Sequence, residues 1–570
     1  MRVINKASFI AVVLGTALFG QQAPTAVLKT VYHGVSDSLF NLALRENVRA
    51  AGALPFQPTE MVQKHGPLVD NVGSASATIN VPVSEAVIQT AASRPAAAVA
   101  GASFEGPGQG LPGFTDCCAP PDSTLAVGPA QIVAWVNSSF AIFSKTGTPL
   151  LPGNGTVSGN SLFALAGNVC ATTNRGDPIL QYDRLAQRWI LSQFAFNVDV
   201  NGNPIAPYLQ CVAVSTTNNP LGTFFLYSIV FGSTSPNGFN DYGKLGIWPD
   251  AYYTSYNVFG GSPAGGNTGV ALCASDRTLM LAGNPAATTL CAPVAFYGGG
   301  GGFLPADMDG ITLPTDQTQG DIFLRQSTAP ALRMLKVKPN FLTSTLTFND
   351  GFGGIPGSFV ALSIGTTTRA CNGAGGACVA QPGTGTLLDT LGDRVMYRLA
   401  YRNRGGIDSL VVNQSVDPDA VGPRSAAVRW YEIRSPFANP PTLFENSTFD
   451  PGASGDRWMG SIAQDKMGNM LLGYSIANAG TGLKPSINFT GRLRSDLRNQ
   501  MQAETRIFTG LGSQTVRSGN IPLSRWGDYT TMQVDPVDDC TFWYINQYIA
   551  ADGVFNWQTR ISSFKFNGCQ

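Results

Sequence analysis

The residues best suited to chemistry are aspartates that open repeated segments of the chain. Five of these aspartates, and a lysine at the equivalent position of another segment, are candidate site residues: Asp122, Asp177, Asp393, Asp456, Asp528 and Lys244. Arginines lie within three residues of four of these aspartates: Arg175, Arg394, Arg457 and Arg525. If each segment starts with an innermost strand, these side chains gather around one opening. Neighbouring carboxylates raise one another's pKa unless cations or hydrogen bonds compensate. The pattern therefore predicts an acidic, arginine-lined funnel that binds a polar ligand or a metal ion.

The same aspartates also have a structural interpretation. A short carboxylate at a turn can accept hydrogen bonds from backbone N–H groups and fix the bend. Repetition favours this interpretation, because a catalytic group is normally used once whereas a folding device recurs in every repeat.

Hydrolysis of a glycan is the catalytic alternative. A glycosidase needs two carboxyl groups, one of them held protonated, and Asp528 with Asp456 or Asp393 supplies such a pair. A sialidase-type reaction instead needs a cluster of arginines and a tyrosine nucleophile that a nearby glutamate activates. Tyr529 is available as the tyrosine. Only four glutamates follow Phe104, and none opens a repeat. Histidine-dependent chemistry is excluded from the repeats, since both histidines of the chain precede them.

No cofactor is predicted, with calcium as an open alternative. The chain has no CxxC pair, and its histidines, His33 and His65, lie in the N-terminal segment, which argues against a Cys/His metal site. Residues 197–202 begin like an oxygen-rich calcium loop, but Tyr208 stands where a bidentate glutamate is expected. An Asn-Gly hairpin turn is the better interpretation there. The acidic stretches 307–309 and 535–539 are similarly ambiguous.

The N-terminus predicts export. Arg2 and Lys6 precede an apolar run over residues 7–20, which is too short for a comfortable membrane span, so we assign 1–23 to a cleaved signal peptide. Ten cysteines fit disulfides of an oxidising compartment. Proximity in sequence suggests four pairs, namely Cys170–Cys211, Cys273–Cys291, Cys371–Cys378 and Cys540–Cys569. Cys117 and Cys118 remain, to pair with each other or elsewhere.

Composition and repeats predict an all-β fold. Charged residues make up 13% of the chain, about half the usual share, and there are 65 glycines and 37 prolines. Residues 24–103 are assigned to an extension or linker, in which 24–50 form one or two short helices. Residues 104–570 contain seven units of strands and acidic turns, one of which opens at Gly320-Asp321. Radial packing buries the faces of such units. We therefore predict a single β-propeller, with seven blades favoured over six or eight and a chain of sandwiches as the alternative.

Tryptophans recur at related places in these units, where they either pack between blades or stack on sugars: Trp135, Trp189, Trp248, Trp458, Trp526 and Trp543. Packing is the expectation, because large aromatic residues within strands are usually buried.

Several long motifs resemble a known family. They are PPDSTLAVGPAQIVAWVNSSFAIFSKTG, RGDPILQYDRLAQRWILSQFAF, GKLGIWPDAYYTSYN, DRWMGSIAQDKMGNMLLGYS and RWGDYTTMQVDPVDDCTFWYINQYI. Their order over roughly residues 104–569 resembles a family of exported bacterial β-propeller proteins that has no assigned activity. The resemblance implies a propeller and no particular reaction. The Gly-Asp-Pro texture is more loosely similar to sialidase-like propellers, although the Asp-box of those proteins has no match here.

The sequence thus favours a secreted, cell-surface or periplasmic propeller that binds without catalysis. The predicted ligand is a glycan, a peptide or a surface protein, and the alternative is a sialidase-like glycoside hydrolase. The equal numbers of 36 basic and 36 acidic residues, with no long basic run, argue against a nucleic-acid partner. No membrane span is expected after signal cleavage, and we expect a monomer.

Overall fold

The protein is an all-β propeller with a few short helices. The computed structural model describes residues 21–570 with these exceptions: 24, 51–58, 61–86, 112–113, 115–117, 154, 201, 233–237, 260–266, 293–300, 327–330, 350–359, 366–367, 373–375, 420–424, 453–454 and 518. The predicted signal peptide lies almost wholly outside the described residues, as does Cys117.

The N-terminal extension contains strands as well as one helix. Its elements are β1 (Gln21–Ala23), β2 (Ala26–Leu28), β3 (Thr30–Val35), α1 (Leu39–Ala50), β4 (Thr59–Glu60), β5 (Val87–Gln89) and β6 (Ala98–Glu105). The helical assignment of 24–50 is therefore right only for its second half. Residues 26–35 form strands instead, because exposed sheet edges elsewhere in the chain offer their backbone groups partners.

Three antiparallel sheets follow the extension and the short strand β7 (Cys118–Ala119). Sheet 1 contains β8 (Thr124–Val127), β9 (Gln131–Val136), β10 (Ser139–Ser144) and β11 (Val157–Ser158). Sheet 2 contains β12 (Ile179–Asp183), β13 (Arg188–Val198), β14 (Pro204–Ser215) and β15 (Phe224–Phe231). Sheet 3 contains β16 (Phe239–Ile247), β17 (Tyr252–Phe259), β18 (Asn267–Ser275) and β19 (Thr289–Cys291). The helices among them are a 3-10 helix (Gly159–Ala166), α2 (Val169–Thr172) and α3 (Arg277–Leu281).

The remaining chain forms four more groups of strands. Sheet 4 contains β20 (Leu304–Met308), β21 (Asp321–Gln326), β22 (Ala331–Asn340), β23 (Thr345–Asn349) and β24 (Val360–Ser363), and is followed by β25 (Thr368–Arg369), a 3-10 helix (Ala370–Asn372), β26 (Ala377–Val379) and β27 (Leu388–Asp389). Sheet 5 contains β28 (Val395–Arg404), β29 (Ile407–Asp417), β30 (Ala427–Arg434) and β31 (Thr442–Phe449). Sheet 6 contains β32 (Asp456–Gln464), β33 (Met470–Asn478), a 3-10 helix (Ala479–Thr481), β34 (Leu483–Arg492) and β35 (Thr505–Phe508). After β36 (Val516–Arg517) and β37 (Ile521–Pro522), sheet 7 contains β38 (Thr531–Val534), β39 (Phe542–Ile549), β40 (Trp557–Phe566) and the N-terminal strand β6.

The first strands of the sheets make a ring. They contact one another in the order β8, β12, β16, β20, β28, β32 and β38, and β38 contacts β8 again. Sheets 4 and 5 are continuous, because β20 pairs antiparallel with β21 and parallel with β28, so the number of blades stays a prediction. The unit assigned to start at Gly320-Asp321 in fact begins earlier, since β20 precedes these residues and lies in the ring. We call the side where the first strands begin the start face and the opposite side the end face.

Apolar sheet faces and disulfides hold the sheets together. The six tryptophans assigned to packing are at most 3% exposed, which confirms that assignment. The four disulfide pairs proposed from sequence proximity are also confirmed: Cys170–Cys211, Cys273–Cys291, Cys371–Cys378 and Cys540–Cys569. Cys118 is disulfide-bonded as well. No helix among the described residues has the length and apolar character to cross a membrane.

The N-terminal extension runs along the outer edges of the sheets in reverse order. β1 pairs with β23, β2 with β19 and β3 with β15, after which α1 packs beside sheet 1, where the Glu46 carboxylate accepts a hydrogen bond from the Ser158 backbone N–H at 3.0 Å. We call residues 25–46 the strap. Unpaired edge strands are a template for aggregation, and the strap removes the edges of sheets 2 and 3. The domain boundary proposed near residue 104 stays a prediction, although these earlier strands belong to the sheets.

Candidate functional site

Three of the aspartates that open repeats adopt the same unusual backbone conformation. The φ angles of Asp122, Asp177 and Asp528 are 53°, 47° and 56°, in the left-handed region that aspartate tolerates better than most residues. Each turn directs the chain into the first strand of its sheet at the start face. The Asp122 N–H also donates to the Gly527 carbonyl at 3.1 Å, which joins sheet 1 to sheet 7.

These turns bring ten polar side chains together at the start face. We call this set the central cluster: Asp122, Asp177, Asp241, Tyr242, Lys244, Asp393, Arg394, Arg525, Asp528 and Tyr529. Within it, the Asp177 carboxyl lies close enough to the Asp122 and Asp241 carboxyls to raise the pKa of both. Asp177 also accepts a hydrogen bond from the Tyr242 backbone N–H at 3.0 Å. The predicted gathering of carboxylates is therefore present.

Three cations neutralise the cluster. Lys244 Nζ lies 3.4 Å from the ring centroid of Tyr242 and 4.1 Å from that of Tyr529. Arg394 Nε donates to Asp393 at 2.8 Å, and its guanidinium carbon lies 4.6 Å from the Tyr242 ring centroid.

The third cation, Arg525, donates from Nη2 to Asp528 Oδ2 at 2.6 Å. Charge-assisted hydrogen bonds of this kind are the strong ones in a protein interior.

Burial sets the protonation of these groups. It raises the pKa of Asp122 and of Asp241 well above the usual range, and the neighbouring carboxylates raise it further. Burial lowers the pKa of Lys244 to about 8, although the carboxylates around it oppose that shift. The raised pKa values of two carboxyls and the presence of three cations thus leave the cluster with little uncompensated charge.

Tyr529 is deeply buried, and its hydroxyl makes a structural hydrogen bond. Its hydroxyl donates to the Pro178 carbonyl at 2.9 Å, and the side chain is 1% exposed. Burial, followed by the nearby Asp122 and Asp177 carboxylates, raises its pKa well above the usual value. A phenol held in the protonated state is a poor nucleophile.

Three of the predicted site residues lie outside the cluster. Asp456 accepts a hydrogen bond from the Ala426 N–H at 2.8 Å, and Arg457 pairs with Glu504 at 2.8 Å. In sheet 6 it is Met459 that has the left-handed φ, 51°, because β32 contains a register shift between Trp458 and Ser461. Asp456 is thereby displaced from the position its sequence suggests.

Arg175 is also separate. Its Nε donates to the Phe196 carbonyl at 3.2 Å, and the guanidinium lies over the Phe196 ring at 5.2 Å.

Asp241 and Tyr242 are members of the cluster that the sequence analysis missed. They directly precede Gly243-Lys244, so in this repeat the acidic residue comes before the glycine rather than after it. An alignment of repeats that allowed this inversion finds Asp241. Tyr242 has the left-handed φ here, 56°.

A second buried network closes the end face. Arg398 contacts Asp307 at 2.6 Å and Asp309 at 2.7 Å, and all three side chains are at most 3% exposed. Arg184 bridges Asp309 at 3.1 Å and Asp539 at 3.0 Å, so it connects sheet 2 with sheets 4 and 7 across the ring. The stretch 307–309, considered above for calcium, is thus bound by arginine.

The other stretches considered for calcium form turns. The Asp199 carboxylate accepts from the Asn203 N–H at 2.8 Å in the hairpin between β13 and β14, as the Asn-Gly interpretation predicts. Asp535 pairs with Lys145 at 2.7 Å. Across the described part of the chain, no group of three or more histidine, cysteine or acidic side chains is arranged to hold a metal ion.

Asp456 provides a test by pH. Its pKa is raised to about 6, first by burial and then by Asp450 and Asp417, against the pull of the Ala426 N–H and Arg457. A group whose folded pKa is raised contributes stability that is present below pH 4 and is lost as the pH rises through 6. We expect Asp456→Asn to flatten the pH dependence of the free energy of unfolding between pH 4 and 6, by at most about 3 kcal/mol. Urea denaturation across this range measures the effect.

Asp538 is the matched control, because its pKa is lowered to about 2 and its contribution has the opposite sign. The Asp538 carboxylate contributes stability that is constant above pH 4 and is lost as the pH falls towards 2. The Asp538→Asn variant should therefore leave the pH dependence between pH 4 and 6 unchanged. Parallel curves for Asp456→Asn and the unchanged protein between pH 4 and 6 would contradict the prediction.

Comparison with known proteins gives no family. No protein-family profile and no curated protein sequence matches the chain. The resemblance to the exported bacterial family therefore has no support from these two comparisons. Among solved structures, the α-L-arabinofuranosidase of Fusarium graminearum is 9% identical with a TM-score of 0.35, covering 83% of this chain and 99% of that chain.

Two further solved structures that are similar to the chain are proteins of different kinds, an enzyme and a protein in complex with a protein partner. An ulvan lyase, a polysaccharide lyase, is 12% identical, covers 80% of this chain and 97% of that chain, and has a TM-score of 0.37. Drosophila plexin A, in complex with semaphorin 1b, is 8% identical over 84% and 89% of the two chains, with a TM-score of 0.32. Similarity at this level carries no argument about activity.

Proposed function

We propose that the protein is an extracellular binding or scaffold propeller that catalyses no reaction. Its ligand, a glycan, peptide or surface protein, contacts the loops around the sheets, and the central cluster serves the fold. The burial of that cluster carries the proposal. Asp122, Lys244, Asp393, Arg394 and Tyr529 are each at most 3% exposed. A substrate cannot reach such groups without opening the ring.

A hydrolase remains the second candidate, and two observations favour it. Asp177 is partly exposed, and it lies near Asp122, a carboxyl whose pKa is raised well above its usual range by burial and by neighbouring carboxylates, so a protonated acid and a second carboxyl are close together. Asp122 Oδ1, Asp528 Oδ1 and Arg394 Nη1 are buried and have no hydrogen-bond partner among the described residues. The burial of the acid opposes this candidate, since Asp122 is 2% exposed and a substrate does not reach it.

The test combines binding with turnover. The full-length secreted protein is screened against a panel of neutral and acidic oligosaccharides, by thermal shift for binding and by chromatography for cleavage. We expect intact oligosaccharides throughout. The variant Asp177→Asn, which keeps an acceptor for the Tyr242 N–H, should leave any binding within about threefold, since the cluster does not contact the ligand.

Cleavage of one oligosaccharide that is lost in Asp177→Asn, with an unchanged circular dichroism spectrum and melting temperature, would overturn the proposal in favour of the hydrolase. The Asp419→Asn variant is the control, because Asp419 is exposed and is not a member of the central cluster.

A further inference from the structure

Five arginines crowd the end face of sheets 5 and 6. Arg404 ends β28, Arg434 ends β30 and Arg492 ends β34, and the loop after β34 adds Arg494 and Arg498. The first and third strands of a meander run in the same direction, so these residues lie at one end of the two sheets. We call them the arginine patch.

Arg404 has more hydrogen-bond donors than partners. Its side chain is 6% exposed, its Nε donates to Gln464 Oε1 at 3.1 Å, and its Nη2 lies 3.5 Å from Glu432 Oε1. Its Nη1 has no hydrogen-bond partner within the described part of the chain, and neither has Gln464 Nε2. Buried donors without acceptors are costly and need an explanation. An anion bound at the surface above Arg404 would offset part of this cost.

Carboxylates near the patch do not balance it. Glu432 is shared, since it accepts from Arg434 Nε at 2.7 Å besides lying near Arg404. Arg492 pairs with Glu445. The nearby Asp496 pairs with another arginine, Arg94, at 3.1 Å.

The two exposed arginines of the loop have no acidic partner of their own among the described residues. Phe444 holds part of the patch in place, because Arg434 and Arg498 lie 3.2 Å and 3.8 Å from its ring centroid. Arg494 stands beside Gly468, where a Cβ would lie 2.5 Å from Arg404 Nη1 and 3.2 Å from Arg494 Cδ. The patch is therefore a fixed surface with excess positive charge. The pKa of Arg404 is consistent with this excess of positive charge, since burial lowers it to about 10. The Glu432 carboxylate raises this pKa, and the neighbouring Arg434 and Arg494 lower it.

Exposed apolar side chains lie among the charges. Leu497, between the two loop arginines, is 73% exposed, and Met467, next to Gly468, is 47% exposed. Two guanidinium groups already lie over the Phe444 ring, so this ring is occupied by arginines and is a poor platform for stacking on a sugar. Arginine with exposed aliphatic side chains suits a peptide that carries both acidic and apolar residues.

We propose that the arginine patch is the docking site for an acidic, leucine-containing segment of a partner protein. Arg494 and Arg498 contact the carboxylates of that segment, Leu497 and Met467 contact its apolar side chains, and Arg404 and Arg434 add positive potential from below. The inference rests on the proposed binding function, because it names the partner class and the place of contact.

Fluorescence anisotropy with a labelled peptide of alternating glutamate and leucine tests the site on the full-length protein. We expect saturable binding that weakens as salt is added. The double variant Arg494→Gln/Arg498→Gln should weaken it on the order of tenfold or more. Leu497→Ser should weaken it about threefold. Arg188→Gln is the matched control, since Arg188 lies at the same end of sheet 2 and donates to the nearby Ala186 and Gln187 carbonyls. This variant should bind the peptide as the unchanged protein does.

Three results would overturn the inference: no saturable binding, equal loss in the control and the double variant, or tighter binding of a sulfated oligosaccharide of equal charge than of the peptide. Because the substituted side chains of the double variant and of Leu497→Ser are exposed, melting temperatures within about 2 °C of the unchanged protein are expected and confirm folding. Glycan cleavage in the assay described above would overturn the proposed function without affecting the anisotropy result, so the two failures are distinguishable.

Discussion

The Lys244→Met variant is expected to lose about 3–5 kcal/mol of folding free energy, because it removes a buried cation from carboxylates that remain. Lys244 Nζ stands between two tyrosine rings and is 1% exposed, in range of Asp177, Asp122 and Asp528. Methionine fills a similar volume, so packing is largely retained and the measured loss reports charge. Equilibrium unfolding in guanidinium chloride, followed by tryptophan fluorescence, measures it.

Lys145→Met is the control for this experiment. Lys145 pairs with Asp535 at 2.7 Å, but its side chain is 23% exposed, and solvent-exposed pairs contribute about 0–1 kcal/mol. If the two variants lose equal stability, the carboxylates of the central cluster do not depend on Lys244, and the charge balance derived above is wrong.

The second large effect is expected at the opposite end of the ring. Arg398→Met should destabilise the protein by about 3–5 kcal/mol, since it leaves two buried carboxylates, Asp307 and Asp309, without their shared guanidinium. Because Arg398 lies on β28 and both aspartates lie on or beside β20, we expect the contact between sheets 4 and 5 to loosen first. Hydrogen exchange of the amides of β20 measures this local opening.

Arg560→Met is the comparison for the end-face network. Arg560 pairs with Glu105 at the outer edge of sheet 7, where the two side chains are 19% and 40% exposed, so a loss below about 1 kcal/mol is expected. An Arg398→Met protein that keeps its full stability and its slow exchange in β20 would show that the network is not a structural tie.

The features that could be predicted from the sequence are those whose signals lie close together along the chain. Acidic tight turns and alternating strands identify the meanders, and cysteines close in sequence identify their own partners, because each signal is complete within one repeat. Buried tryptophans at related positions follow from the same repetition. The propeller fold could therefore be predicted from the sequence without a family match.

The site was less accessible, for two physical reasons. A register shift within β32 moves Asp456 away from the ring and puts Met459 in its place, and a shift of this kind leaves no mark in the Gly-Asp motif. In the third repeat the order of acid and glycine is inverted, which hid Asp241. Protonation was also unpredictable, because it depends on distances between carboxyls on different sheets rather than on residue type.

The strap has a consequence for the order of folding. Leu28 pairs with Thr289 and Thr30 with Ile229, so these strands, although synthesised early, must wait for partners about two hundred residues or more later. Sheet 7 likewise needs β6 from the beginning of the chain and β40 from its end. Contacts so distant in sequence make folding slow. A nascent or truncated chain therefore keeps strand edges with unpaired backbone groups, and we expect its assembly to finish only when β40 has paired with β6.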